Sequence, residues 1–385
     1  MPAPRLVAHA LRYAASAIAP SAAILGFLLP LLPSASAIAQ TTTQPHPKTY
    51  SSLNIFGDSL VDTGNLFNLT GFPPSPPYAQ KLSNDTLWIE PFADALNLSP
   101  VLSSEVLPGL LSGTAPPPTE GINFGLAGSL TSDLSTVPPL PGLQQQIETF
   151  EAIAPILPTD ENSLFVLVAG ANDYNEAIFN PSTNTSPASL INQVTDNLTN
   201  AASSLINSGA KNLFISNLPD LGLQPFADLL DQFNPQGSSL LTAFSDQHNQ
   251  LLDQKLTALS LATNTKITQL NVNKIINDVA NDPASFGFTN TEDACLTNFQ
   301  PGFVFDGICD NPDEFLFWDD VHPTAATHDI IAQFALTTLN KANQKEGQKI
   351  PEPSIIFALL AVGSLTLFQP KKPQIKVPQL SSTKP

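Results

Sequence analysis

Phe56-Gly57-Asp58-Ser59-Leu60-Val61-Asp62-Thr63-Gly64-Asn65 follows a short apolar run, Leu53 to Phe56, and places a serine just beyond it. The run reads as a strand, and the carboxyl ends of strands in open parallel sheets face the ligand crevice. A hydroxyl delivered there is a candidate nucleophile. Asp-Ser beside Gly is also ordinary turn chemistry, so the remainder of the chain has to separate the two readings.

Downstream, the continuous apolar run Leu164-Phe165-Val166-Leu167-Val168-Ala169 has the signature of a central parallel strand covered on both faces, and it delivers Gly170-Ala171-Asn172-Asp173 at its end. Leu213-Phe214-Ile215-Ser216 and residues 267–272 read as further strands. Helical spacing is clear in Leu143, Ile147, Phe150 and Ile153, and again in Leu190, Ile191, Val194, Leu198, Ala202, Leu205 and Ile206, where Gly209 is the stop. A long helical pattern covers about 239–261, and Pro323 suits the first turn of a final helix carrying Ile330, Ile331, Phe334 and Leu339. Residues 72–118, dense in Pro, Ser and Leu, show little helical period and read as a long functional loop walling a cleft. Alternating strands and helices argue for an α/β layer fold around one parallel sheet.

Acyl transfer to serine needs a hydroxyl, a base, a group that fixes the base, and donors for the developing oxyanion. Of five histidines, His9 and His46 precede the globular region, and His248 and His328 fall inside helical patterns where a solvated face is the plain reading. His322 remains, in Phe317-Trp318-Asp319-Asp320-Val321-His322-Pro323-Thr324. Asp319 is one turn away and can orient the imidazole; Asp320 is the rival. The N–H groups of Ser59 and Gly128, the latter in Gly121-Ile122-Asn123-Phe124-Gly125-Leu126-Ala127-Gly128-Ser129, and the Asn172 amide are the available oxyanion donors.

These blocks, in this order, resemble the four blocks of the GDSL esterase/lipase family, the SGNH hydrolases, over residues 51–345. The resemblance implies a flavodoxin-like three-layer αβα sandwich with Ser59 as nucleophile, His322 as general base, Asp319 as its orienter, and Gly128 with Asn172 as oxyanion donors. It implies no metal and no cofactor. Asp62, Asn65 and Asp173 are expected to brace the loops, and Gly125 departs from the Ala that the family often carries at that place. The expected activity is hydrolysis of a carboxylic ester, small or lipid. The alternatives are a carbohydrate-ester deacetylase and a catalytically silent surface binding module on the same fold.

Composition bounds the rest. With 42% hydrophobic and 12% charged residues among 385, the chain can bury a full core. Only 15 Lys and Arg stand against 33 Asp and Glu, a field that repels nucleic acid and anionic headgroups. Residues 1–39 read as an export signal: Arg5 and Arg12 head an apolar stretch that ends in Ala35-Ser36-Ala37 or Ala37-Ile38-Ala39 as cleavage sites. A Thr-, Pro- and Gln-rich linker follows at 40–50. In an exported chain Cys295 and Cys309 read as one disulfide. The tail, 346–385, carries Pro351-Glu352-Pro353, an apolar run over 355–368 and Lys371-Lys372. It resembles a PEP-CTERM sorting signal, which implies an exosortase-type processing enzyme as partner, and membrane contact is expected only through the terminal segments.

Overall fold

The computed structural model describes residues 49–179, 186–232, 235–297 and 304–347. The expected export signal, most of the linker, and the tail from residue 348 lie outside the described residues.

Six parallel strands form the central sheet: β1 (Leu53–Gly57), β2 (Val101–Leu102), β3 (Ile122–Asn123), β4 (Leu164–Val168), β5 (Asn212–Ser216) and β6 (Lys266–Leu270). Their order is β2-β3-β1-β4-β5-β6, with Ile55 opposite Val166 and Val166 opposite Phe214. Leaving aside the two-residue edge strand β2, this is the flavodoxin-like order, and the chain reverses its direction of travel across the sheet between β1 and β4. Ser59 follows β1 and Asn172 follows β4. The two therefore meet at the switch point, where a parallel sheet opens its crevice.

The helices are α1 (Asn65–Thr70), α2 (Ile89–Ala95), α3 (Ser103–Ser112), α4 (Leu143–Ile153), α5 (Ala171–Phe179), α6 (Pro187–Asn207), α7 (Pro225–Asp231), α8 (Gly237–Thr263), α9 (Val272–Asn281), α10 (Pro283–Phe286) and α11 (Ala325–Gly347). Side chains alternate across a strand. Phe165 and Leu167 of β4 join a core with Phe150 of α4, Leu198 of α6 and Leu252 of α8. Leu164, Val166 and Val168 join the opposite core with Phe92 of α2, Ile276 of α9 and Ile331 of α11. Both faces of the sheet are covered, which is why the central strands are apolar at every position. Aromatic rings knit the first core, Phe56 stacking on Phe124 with centroids 5.0 Å apart and meeting Phe150 edge-on at 5.5 Å.

A third, smaller core lies under the Pro-rich segment and gathers Tyr78, Leu126, Cys295, Leu296 and Trp318. Beside it stand two short sheets: β7 (Asn290–Ala294) pairs with β10 (Phe315–Phe317), and β8 (Leu296–Thr297) pairs with β9 (Gly307–Ile308). The Cys295–Cys309 disulfide clasps the β8–β9 hairpin. Among the described residues no helix is long and apolar enough to cross a membrane.

Four expectations need correction. The stretch 72–118 is not irregular throughout, since α2 and α3 form within it. Pro91 hides α2 from a propensity reading, yet it stands in the first turn, where its missing N–H costs no helical bond. Pro323 is not in the final helix, which starts at Ala325; it bridges instead to Phe317, and the Thr324 hydroxyl accepts from the Thr327 N–H at 3.3 Å. Finally, His248 and His328 are 0% and 1% exposed rather than on solvated faces. Both ride on helices packed on more than one side, α8 against α6, α7 and β6, and α11 against α2, α9 and β6.

Candidate active site

Gly57 is what lets the first block turn out of the sheet. Its φ is +147°, and a Cβ there would lie 1.8 Å from the Val168 carbonyl oxygen of the neighbouring strand. That same carbonyl accepts from the Asp58 N–H at 3.0 Å. Gln146 of α4 then clamps Gly57 from below, its Oε1 accepting from the Gly57 N–H at 2.9 Å and its Nε2 donating to the Gly57 carbonyl at 2.8 Å. The turn that presents Ser59 is thus held on both sides.

The second half of the site comes from the loop between β10 and α11. The Trp318 N–H donates to the His322 carbonyl at 2.7 Å and the Thr324 N–H to the Leu316 carbonyl at 3.1 Å, closing a tight loop around Asp319 to Pro323. Inside it the Asp319 carboxylate accepts from the N–H groups of Val321 and His322, at 3.0 and 2.8 Å. The disulfide hairpin backs this loop, since the Leu296 N–H donates to the Trp318 carbonyl at 2.8 Å.

The two halves meet. His322 Nε2 lies 3.0 Å from Ser59 Oγ, and Nδ1 lies 2.9 Å from both carboxylate oxygens of Asp319. These residues are 263 positions apart in the chain. Of the two adjacent acids, the geometry selects Asp319; among the described residues Asp320 makes no hydrogen bond to the imidazole, and burial pushes its carboxyl up to about 6. Burial by itself would raise the Asp319 carboxyl as well. The charge and hydrogen bond of His322, the Val321 N–H and the Tyr78 hydroxyl hold it below its ordinary value instead. For His322, burial disfavours the charged form, but the Asp319 carboxylate, its hydrogen bond and the charge of Asp58 outweigh that and raise the imidazole above its usual value.

The loop around Gly128 is carried by the residues expected to brace it. Asp62 accepts from the N–H groups of Gly64, Asn65, Leu66 and Ala127, between 2.6 and 3.0 Å. The Asn65 amide donates to the carbonyls of Asn123 and Gly125 at 2.9 and 2.8 Å. Asp173 accepts from the N–H and hydroxyl of Thr131 at 2.9 and 2.7 Å. Gly128 itself has φ +85°, and its N–H and that of Ser59 have no protein partner among the described residues. The Asn172 amide donates to the Ser129 carbonyl at 3.0 Å, tying the end of β4 to this loop. Ser59, Asn172 and His322 all border one cleft.

Several supporting residues escape a reading of the sequence. Tyr78, 1% exposed, donates its hydroxyl to Asp319 Oδ2 at 2.8 Å. Ser83 donates to the Pro323 carbonyl at 3.0 Å, and Asn84 accepts from the Ala325 N–H at 2.8 Å. The Pro-rich segment therefore buttresses the acid–histidine loop; of its residues only Trp88 borders the cleft. Gln146 was legible in part, as a polar residue on the apolar face set by Leu143, Ile147 and Phe150. Asp58 is buried beside the pair, and burial pushes its carboxyl up to about 7 against the Leu60 N–H and the charge of His322.

This arrangement can deprotonate a serine hydroxyl with an oriented imidazole, and the unpaired N–H of Ser59 sits on the same turn; Gly128 is not among the residues that border the cleft. Comparison with known proteins places the chain in a family. A family model described as GDSL-like Lipase/Acylhydrolase matches residues 53–335. The chain is 27% identical over 331 residues to a phosphatidylcholine-sterol acyltransferase of Aeromonas hydrophila, covering 75% of this chain and 90% of that protein. It is 27% identical over 341 residues to a GDSL esterase/lipase of Arabidopsis thaliana, covering 78% of this chain and 92% of that protein. Among solved structures, a lipolytic protein of the G-D-S-L family from Veillonella parvula shares 13% identity at a TM-score of 0.36, over 74% of this chain and 96% of that one. With the model spanning well over half its length, the chain belongs to the GDSL lipase/acylhydrolase family of ester hydrolases.

Proposed function

We propose that the protein is an exported serine esterase that cleaves carboxylic esters of small molecules or lipids through an acyl-enzyme on Ser59. His322 takes the Ser59 proton as Oγ attacks the ester carbonyl, and Asp319 holds the imidazole with Nε2 free to do so. The carbonyl oxygen becomes an oxyanion, met by the N–H groups of Ser59 and Gly128 and the Asn172 amide. His322 then returns the proton to the departing alkoxide, leaving an acyl ester on Ser59. A water, deprotonated by the same imidazole, attacks that ester, and collapse of the second tetrahedral species returns the proton to Ser59 and releases the acid. Asp62, Asn65 and Asp173 act by holding the loops.

The observation that carries this reading is the Ser59 Oγ to His322 Nε2 separation of 3.0 Å, with Asp319 at 2.9 Å on the other ring nitrogen. Leu60, Trp88, Leu270, Val272, Ile276 and Ile331 on the cleft wall favour an acyl chain over the acetyl group of a glycan. Export is supported by the Cys295–Cys309 disulfide, a bond that persists in oxidising compartments, and by the leader-like composition of residues 1–39. On that reading the tail serves sorting and is removed by an exosortase-type enzyme.

A panel of p-nitrophenyl esters of increasing acyl length, with acetylated xylan as comparison, tests the function. Turnover that rises beyond the acetate ester and disappears in Ser59→Ala is the expected result. Deacetylation of the glycan with no activity on the longer esters would point to the carbohydrate-ester reading. Inertness toward every ester would favour a binding module.

A further inference from the structure

Of the buried titratable side chains of the cleft that the acyl-enzyme chemistry does not use, His328 also lacks a hydrogen-bond partner among the described residues. His328 stands in the first turn of α11, is 1% exposed, and borders the same cleft as Ser59. Neither of its ring nitrogens has a hydrogen-bond partner among the described residues. Its companions on the wall include the apolar Trp88, Ile276, Phe317 and Ile331. Ile331 lies three positions along α11, so one face of that helix presents both residues to the cleft.

An imidazole withdrawn from water with both nitrogens idle carries a standing desolvation penalty, which a leucine in the same place would not. Burial, aided by the charges of His322 and Lys81, pushes His328 down to about 3. It is therefore neutral over the working range, with one N–H to donate and one lone pair to accept. Asn175 Oδ1 and Gln224 Oε1, also on this cleft, are unpartnered too. A ligand that fills the cleft thus meets polar atoms beyond those the ester chemistry uses.

We propose that the apolar wall formed by Trp88, Ile276, Phe317 and Ile331 receives the acyl group and that His328 selects acyl chains bearing an oxygen function, a hydroxyl above all, along their length. This rests on Ser59 being the acylated residue. A neutral imidazole can donate to or accept from a hydroxyl, whereas an unsubstituted chain leaves both nitrogens unpaired in the complex as well. This wall of the cleft is then an acyl site for hydroxylated fatty acids rather than a simple apolar slot.

The test uses paired p-nitrophenyl esters of six- to twelve-carbon acids, with and without a terminal hydroxyl, and reads the ratio of kcat/KM within each pair. At one chain length the wild type should prefer the hydroxylated ester about tenfold. His328→Leu should abolish that preference and raise turnover of the unsubstituted partner, and His328→Asn should retain part of it. A ratio at or below one at every length in the wild type overturns the inference, as does a preference that survives in His328→Leu. If the leucine variant does not fold, the wild-type ratios decide alone. A wild type that cleaves p-nitrophenyl acetate through Ser59 but shows no preference sinks only this inference; acetate turnover that persists in Ser59→Ala sinks the reading beneath it.

Discussion

Replacing Asp58 by asparagine should change how stability depends on pH, by an amount the structure sets. Asp58 is 2% exposed, and burial pushes its carboxyl up to about 7 from the 3.8 of an unfolded chain. Between those values the folded protein holds a proton that the unfolded chain has lost, so this group stabilises the fold fully below about pH 4. That contribution fades as the pH rises through about 7. Integrating the proton difference from pH 5 to pH 8, at about 1.4 kcal/mol per tenfold, gives a loss of about 2.5 kcal/mol attributable to Asp58. The asparagine keeps an Oδ1 to accept the Leu60 N–H, which Asp58 receives at 3.1 Å, but it has no proton to lose. Urea unfolding of both proteins at pH 5, 6, 7 and 8, analysed by linear extrapolation, measures the difference. The variant should gain on the wild type by about 2.5 kcal/mol across that range. Parallel stability curves would show that the carboxyl is not held protonated, and the reasoning from its burial would fail.

Three further outcomes follow from the same structure. Gly57→Ala would drive a Cβ into the Val168 carbonyl at 1.8 Å and part β1 from β4, so a destabilisation of about 3 kcal/mol or more is expected; an unchanged melting temperature would refute the close approach. Because the Asp319 carboxylate and its hydrogen bond outweigh burial and raise the imidazole of His322 above its usual value, activity should fall in acid with a midpoint above that of an ordinary histidine. Asp319→Asn should move that acid limb to lower pH while kcat falls on the order of 10⁴-fold, and a limb that stays put would argue against the pairing. Cys295→Ser with Cys309→Ser opens a loop spanning 14 positions and should cost about 3 kcal/mol in denaturant unfolding; a loss under about 1 kcal/mol would contradict the clasp drawn here.

Much of the architecture was open to a reader of the sequence, because the central strands announce themselves. Phe165 and Val166 face opposite cores, so β4 is apolar at each position and cannot be mistaken for a surface strand. The site was legible for a related reason: the polar blocks follow strand ends, which the sheet topology brings together whatever their separation in the chain. What stayed hidden depends on packing that no local pattern encodes. The role of Tyr78 exists only because a Pro-rich segment folds back against Asp319, and its ring meets Trp318 edge-on at 6.1 Å. The same holds for His248, whose Nδ1 lies 2.8 Å from the buried Tyr174 hydroxyl, and for His328. A helix with two buried sides defeats the assumption that a polar residue in a helical pattern faces water.

Everything in the proposed mechanism turns on Ser59 becoming covalently acylated. The most direct measurement is to treat the protein with a fluorophosphonate and locate the adduct by peptide mass spectrometry. One adduct per chain, on Ser59 and absent from Ser59→Ala, is the expected result. An adduct on another residue, or an ester-hydrolysing protein that the reagent leaves unmodified, would contradict it.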